Sequence, residues 1–183
     1  MADNTLENKH NWYVFRVFGN RALSCEQKLK AIGFETYVPV LTRWKEGENG
    51  KPEAKIVPAI SNLIFINTTE EKILELEQDK SLSVYAFRTL ESDPSKRKLT
   101  VIPRQEMESF IFISSSGEKG LEYFPADQLA YKSGTKVRVT AGLLKGSVGE
   151  IKRIKGNRRF VVEIQGICAI ATSYIPSEFL QKL

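Results

Sequence analysis

The chain has 183 residues, 42% hydrophobic and 27% charged, with a net charge of +5, the balance of one globular domain or two small ones rather than of a disordered chain. No apolar run approaches the roughly 18 residues of a bilayer span, and the polar start, Met1 to Asn11, has no signal-peptide core, so a cytoplasmic protein without a membrane partner is expected. A lone His10 and two distant cysteines, Cys25 and Cys168, offer no metal-ligand spacing and no hydrolytic triad, so no enzyme, metal or cofactor is expected.

Trp12 to Phe18 is aromatic, β-branched and almost wholly apolar, which predicts a central strand broken by Gly19. Asn20 is the predicted cap of a helix with Ala22, Cys25, Leu29 and Ile32 on one face, ended by Gly33. Phe34 to Val40 reads as a strand, and residues 41–57 as a hairpin with Asn49-Gly50 at its tip. Leu63 to Ile66 is a further strand. Thr68 and Glu71 form a capping box that opens a helix through Ile73 and Leu76 to Gln78. Val84 to Arg88 reads as a strand, and Pro103 starts a helix with Met107, Phe110 and Ile111 inward. This order predicts an α/β sandwich close to the split βαβ pattern.

From Ser114-Ser115-Ser116-Gly117 to Gly134 no period is visible, and the stretch reads as a linker in which Tyr123, Phe124 and Pro125 can dock on a domain. Lys136 to Thr140 then alternates with Val137 and Val139 inward. Val148, Ile151 and Ile154 continue that pattern, Gly156-Asn157 signals a hairpin, and residues 159–165 and 168–174 supply two more strands before Pro176. About fifty residues of short strands predict a small closed barrel. The charge is uneven: residues 1–115 hold 16 basic and 16 acidic side chains, residues 116–183 hold 11 and 6, so the barrel favours a polyanion or an acidic protein.

Val137, Val139, Gly142, Lys145, Gly146, Gly149, Ile151 and Ile154 resemble a KOW motif, found in NusG-type elongation factors and in some ribosomal proteins. Trp12-Tyr13-Val14, Val17-Phe18-Gly19, Phe34 to Pro39 and Ser61 to Ile66 look like the opening, the proline-ended strand and the apolar-phenylalanine strand of the NusG N-terminal domain. The ending Gly166 to Pro176, with Gly156-Asn157-Arg158-Arg159 and the segment Ile175 to Leu180, is more similar to the UpxY group, specialised paralogues that antiterminate capsular polysaccharide operons. The resemblance implies an α+β protein: a NusG-like N-terminal α/β sandwich over residues 1–114, a linker over 115–132 and an SH3-like KOW barrel over 133–183.

It also implies a monomer that binds the clamp helices of the largest RNA polymerase subunit and favours elongation over pausing, with no bond made or broken. Tyr13 and Phe15 share a face of their strand, and Leu63 and Phe65 share a face of theirs, so these four are candidates for the docking patch, or for the domain core. Arg16, Arg21 and Lys28 are candidates for contact with the non-template DNA strand, or form a solvated helix face. Lys152, Arg153, Lys155, Arg158 and Arg159 cluster at one turn, as a site for nascent RNA or an acidic protein, or as a solvated hairpin tip. Leu143, Leu144 and Ile167 lie where related factors meet Rho or a small-subunit ribosomal protein. The alternative reading is a ribosome-associated or general RNA-binding KOW protein, which predicts exposed aromatic side chains beside basic ones. No phosphate-binding loop, dinucleotide fingerprint or nucleophile elbow supports a small enzyme.

Overall fold

The computed structural model describes residues 9–47, 49–90, 97–125, 128 and 134–183. Most of the polar start, Glu48 of the hairpin tip, and residues 126–127 and 129–133 of the stretch read as linker lie outside the described residues. The fold is α+β, with three α-helices and fourteen strands among the described residues, and every ladder is antiparallel. The chain divides into two compact units, 1–103 and 104–183.

In the first unit β1 (Asn11–Val17), β2 (Glu35–Tyr37), β5 (Leu63–Thr68) and β6 (Val84–Ala86) form one sheet in the order β2-β5-β1-β6. The two central strands are buried on both faces, which is why their sequences are continuous apolar runs rather than alternating ones. One face packs on α1 (Ala22–Ala31) and α2 (Glu70–Gln78) through Tyr13, Phe15, Val17, Ile64 and Ile66 against Ala22, Cys25, Leu29, Ile73 and Leu76. Each such large side chain contributes about 1.5–3 kcal/mol by leaving water. β3 (Val40–Glu46) and β4 (Pro52–Pro58) make a separate two-stranded hairpin, and β7 (Arg88–Leu90) pairs with β8 (Arg97–Leu99).

Helix ends differ from the sequence expectations by a residue or so. Asn20 sits at φ +54° and Arg21 takes the N-cap position of α1 without a side-chain bond. Ile32 is 64% exposed, because α1 stops at Ala31 and Gly33, at φ +92°, turns the chain back with its N–H on the Lys30 carbonyl. The cap of α2 is Thr69, whose hydroxyl accepts the Lys72 N–H at 3.5 Å; Thr68 stays paired in β5.

The second unit holds α3 (Arg104–Ser114) and a six-stranded sheet of β9 (Glu122–Pro125), β10 (Thr135–Val139), β11 (Val148–Ile154), β12 (Asn157–Ile164), β13 (Cys168–Ala171) and β14 (Leu180–Lys182). Its order is β14-β10-β11-β12-β13-β9, a ladder with two ends. α3 packs on β12, with β11 and β13 beside it. Met107, Phe110 and Ile113 are its buried side chains, whereas Ile111 is only half-buried. Within the stretch read as linker, β9 pairs along β13 and Phe124, opposite Ala169, joins the core with Ile154 and Val161. The β11–β12 turn is Lys155-Gly156, both at positive φ, and Asn157 already pairs with Ile154, one residue from the expected turn.

Candidate functional site

The four candidates for a polymerase-docking patch do not come together. Tyr13 lies opposite Ile66 and Phe15 opposite Ile64, on the helix-covered face; Leu63 lies opposite Arg16 and Phe65 opposite Val14, on the other face. All four are buried, Phe15 and Phe65 completely. Among the large apolar side chains that do reach solvent in this unit are Val40, Trp44 and Ile56 on the hairpin and Phe18 at the end of β1. In the hairpin Thr42 faces Ile56 and Trp44 faces Ala54, so Val40, Trp44 and Ile56 share one exposed face while Arg43, Lys45 and Lys55 share the other. Trp44 is 70% exposed. The alternation of Val40, Thr42 and Trp44 was readable, but nothing local shows that their face is left uncovered.

Arg16, Arg21 and Lys28 are all exposed. Arg16 stands opposite Tyr85 of β6, and its guanidinium lies 5.3 Å from the centre of the Phe87 ring. Arg21 Nε donates to the Phe18 carbonyl at 3.1 Å, which orients its head over the turn before α1. Phe18 and Tyr85 pack edge to face, with centroids 5.3 Å apart, yet remain 53% and 58% exposed. The pair is not visible in the sequence, because Phe18 follows one strand and Tyr85 lies in a distant one.

The basic cluster of the second unit is divided by its ladder. Lys152 is buried, with Nζ 2.6 Å from Glu163 and 3.3 Å from Glu150. Burial alone would lower its ammonium; the bond to Glu163 and both nearby carboxylates outweigh that and hold it above its usual range. Arg159 Nη1 binds Glu122 at 2.5 Å, and Lys155 lies 3.5 Å from the same carboxylate. Arg153 and Arg158, directly opposite one another, are exposed and have no ion pair among the described residues. Of the three candidate partner-binding residues only Leu143 is exposed; Leu144 and Ile167 are buried.

The family described as transcription termination factor NusG matches residues 10–111.

The chain belongs to the NusG family.

NusG-family factors are transcription regulators rather than enzymes, and membership implies an interaction with RNA polymerase. Comparison with curated proteins gives no significant match. The NusG match extends past the division between the units and takes in most of α3. It covers both apolar surfaces and the Phe18–Tyr85 corner, and leaves Arg153 and Arg158 outside it.

Burial pushes the Cys168 thiol well above its ordinary range, with Glu163 adding to the effect, which makes it a poor nucleophile. Burial raises Cys25 as well, against the pull of Lys28 and Arg21. A polar cavity of about 520 Å³ in the second unit is lined by Glu106, Lys136, Glu150, Lys152, Glu163 and Gln165, among others. Burial raises the Glu106 carboxyl there, although the Gln165 N–H opposes the shift, and its Oε2 has no hydrogen-bond partner among the described residues. No group of three or more metal-ligating side chains occurs among the described residues, and none of their helices is long and apolar enough to cross a membrane.

Proposed function

We propose that this chain is a cytoplasmic, monomeric transcription antitermination and processivity factor that binds RNA polymerase during elongation. The observation that carries the reading is the NusG-family match over residues 10–111, which spans the whole sheet and both helices of the first unit. The expected partner surface is the clamp helices of the largest polymerase subunit. Tyr13, Phe15, Leu63 and Phe65 serve this contact from inside, by holding the sheet that shapes the surface, and the exposed Val40–Trp44–Ile56 face supplies apolar area for a protein partner.

The proposed KOW domain is residues 133–183 of the second unit. The five antiparallel strands β10 to β14 and the glycine pattern of residues 137–149 support that reading. Its partner is nascent RNA or a protein such as Rho or a small-subunit ribosomal protein, met through Arg153 and Arg158 or through Leu143. Specialisation for a polysaccharide operon in the manner of the UpxY group rests on the sequence of Gly166 to Pro176.

A pull-down of halted elongation complexes, followed by an elongation assay on the protein's own leader DNA, tests this. Retention of polymerase and longer transcripts are expected. Trp44→Ala should weaken retention without changing circular dichroism. Absence of polymerase from the wild-type pull-down would overturn the proposal.

A further inference from the structure

The short strand β9, in the stretch whose sequence reads as linker, brings one carboxylate onto the basic turn of the second unit. β9 lies at one end of the six-stranded ladder, and its register sets Glu122 opposite Ala171 of β13, which in turn faces Val161 of β12. Arg159 is two residues before Val161 and projects from the same face of β12. Phe124, two residues after Glu122, is buried with Ile154, Val161, Ala169 and Ala171 and fixes β9 in place. The strand register therefore delivers the carboxylate to Arg159.

Four cations surround the β11–β12 turn: Arg153, Lys155, Arg158 and Arg159. Glu122 Oε1 accepts a bond from Arg159 Nη1 at 2.5 Å, and its Oε2 lies 3.5 Å from Lys155 Nζ. No other acidic side chain pairs with these four among the described residues. Lys152 is held by Glu150 and Glu163 and stays out of the set. Burial would raise the Glu122 carboxyl, but the Arg159 bond and the charges of Arg159 and Lys155 bring it below its ordinary value, so it is ionised at neutral pH. Its grip is incomplete. Arg159 gives it one nitrogen rather than a forked pair, and the buried Nε has no hydrogen-bond partner among the described residues. The Glu122 side chain keeps 34% exposure and that of Lys155 76%, so solvent screens the contact and leaves it weak against a competing polyanion.

We propose that Glu122 is a built-in competitor at the basic turn: it neutralises Arg159 and Lys155 until the phosphates of single-stranded RNA displace it, and these two cations then join Arg153 and Arg158 on the RNA. The proposal rests on the reading of the second unit as RNA-binding and adds its regulation. RNA fits better than an acidic peptide, because a polynucleotide carries a phosphate on every residue, whereas an extended peptide turns successive side chains to opposite faces. One displaced carboxylate frees two cations, so RNA binding is weaker and less salt-dependent while Glu122 is in place.

The test uses the full chain and a labelled 12-nucleotide single-stranded RNA, followed by fluorescence anisotropy across a salt series. Glu122→Gln keeps the size of the side chain and should bind RNA about two- to fivefold more tightly, with a salt slope steeper by about one unit. Glu122→Asp keeps the charge and should stay near wild type. Glu178→Gln makes the same change of net charge beside the start of β11, away from the turn, and should also stay near wild type. In a Lys155→Ala/Arg159→Gln background Glu122→Gln should gain nothing, and circular dichroism checks that each variant keeps its fold. A gain no larger than that of Glu178→Gln, or one that persists without Lys155 and Arg159, would overturn the proposal. So would a gain for a polyglutamate peptide without one for RNA. Arg153→Ala/Arg158→Ala should weaken RNA binding whether or not Glu122 competes. That loss, with no response to Glu122→Gln, would leave the RNA surface standing and remove only its competitor, and the polymerase pull-down depends on neither.

Discussion

Arg153 on β11 and Arg158 on β12 stand directly opposite each other, both exposed, while the neighbouring opposed pair, Lys152 and Arg159, is neutralised by carboxylates. Like charges facing across a ladder oppose pairing by roughly 0.2–1 kcal/mol. Arg153→Ala and Arg158→Ala should therefore leave the second unit as stable as before or slightly more stable, while weakening binding to a single-stranded RNA oligomer and lowering its salt slope by about one unit per arginine. Urea unfolding by circular dichroism, with anisotropy titrations, checks both halves. Destabilisation by either substitution would show that these side chains hold the sheet.

The Lys152 ammonium sits between Glu150 and Glu163 with its side chain 7% exposed. Removing it strands two partly buried carboxylates. Breaking a fully buried pair costs roughly 3–5 kcal/mol; because both carboxylates keep some solvent, Lys152→Ala should cost about 2–3 kcal/mol. Adding Glu150→Gln and Glu163→Gln to Lys152→Met should recover most of that loss in the urea midpoint, since no uncompensated charge remains. A triple variant no better than the single one would reject this account.

These two cases show what was legible in the sequence. Strand and helix positions came from alternation and helical spacing, both local, and the central strands, the three helices and the second all-β region follow them. The faces did not, because parity within one strand says nothing about its neighbour until the register is fixed. Val14 opposite Phe65 puts Leu63 and Phe65 on the reverse of the sheet from Tyr13 and Phe15. In the same way the run Lys152 to Arg159 shows its charge locally, but Glu163 and Glu122, which neutralise Lys152 and Arg159, are supplied by other strands. Phe18 and Tyr85 were invisible as a pair for the same reason.

Glu77 joins α2 to the strands beyond it, accepting both Arg88 guanidinium nitrogens and the Ala86 N–H. The Arg88 bond, with the Ala86 N–H, holds its carboxyl below the usual value of 4.5 against the opposing effect of burial. A carboxylate depressed in the folded state stabilises fully above its unfolded value, and the contribution disappears as pH falls through the folded one. Glu77→Gln should therefore lower stability by about 1–2 kcal/mol at pH 7, and the gap to wild type should close below about pH 4.5. Both tryptophans, Trp12 and Trp44, lie in the first unit, so their fluorescence during urea unfolding at pH 3 to 7 reports the unit concerned. A gap that does not change with pH would remove the ionised pair as its cause.

Gly149 belongs to the KOW-like glycine pattern with Gly142 and Gly146, but space rather than φ requires it: a Cβ there would lie 2.5 Å from the Val161 carbonyl oxygen and 2.8 Å from the Phe160 ring. Gly146 has open space around its missing Cβ and is demanding only through its φ of +97°. Gly146→Ala should thus cost about 1–2 kcal/mol of backbone strain, whereas Gly149→Ala must push apart β11 and β12 and should cost about 3 kcal/mol or exceed it. Adding Phe160→Leu to Gly149→Ala relieves the ring contact but not the carbonyl contact, so recovery of the circular-dichroism midpoint should be incomplete. If Gly149→Ala matched Gly146→Ala in cost, the close approach of the two strands would not be what requires glycine at this position.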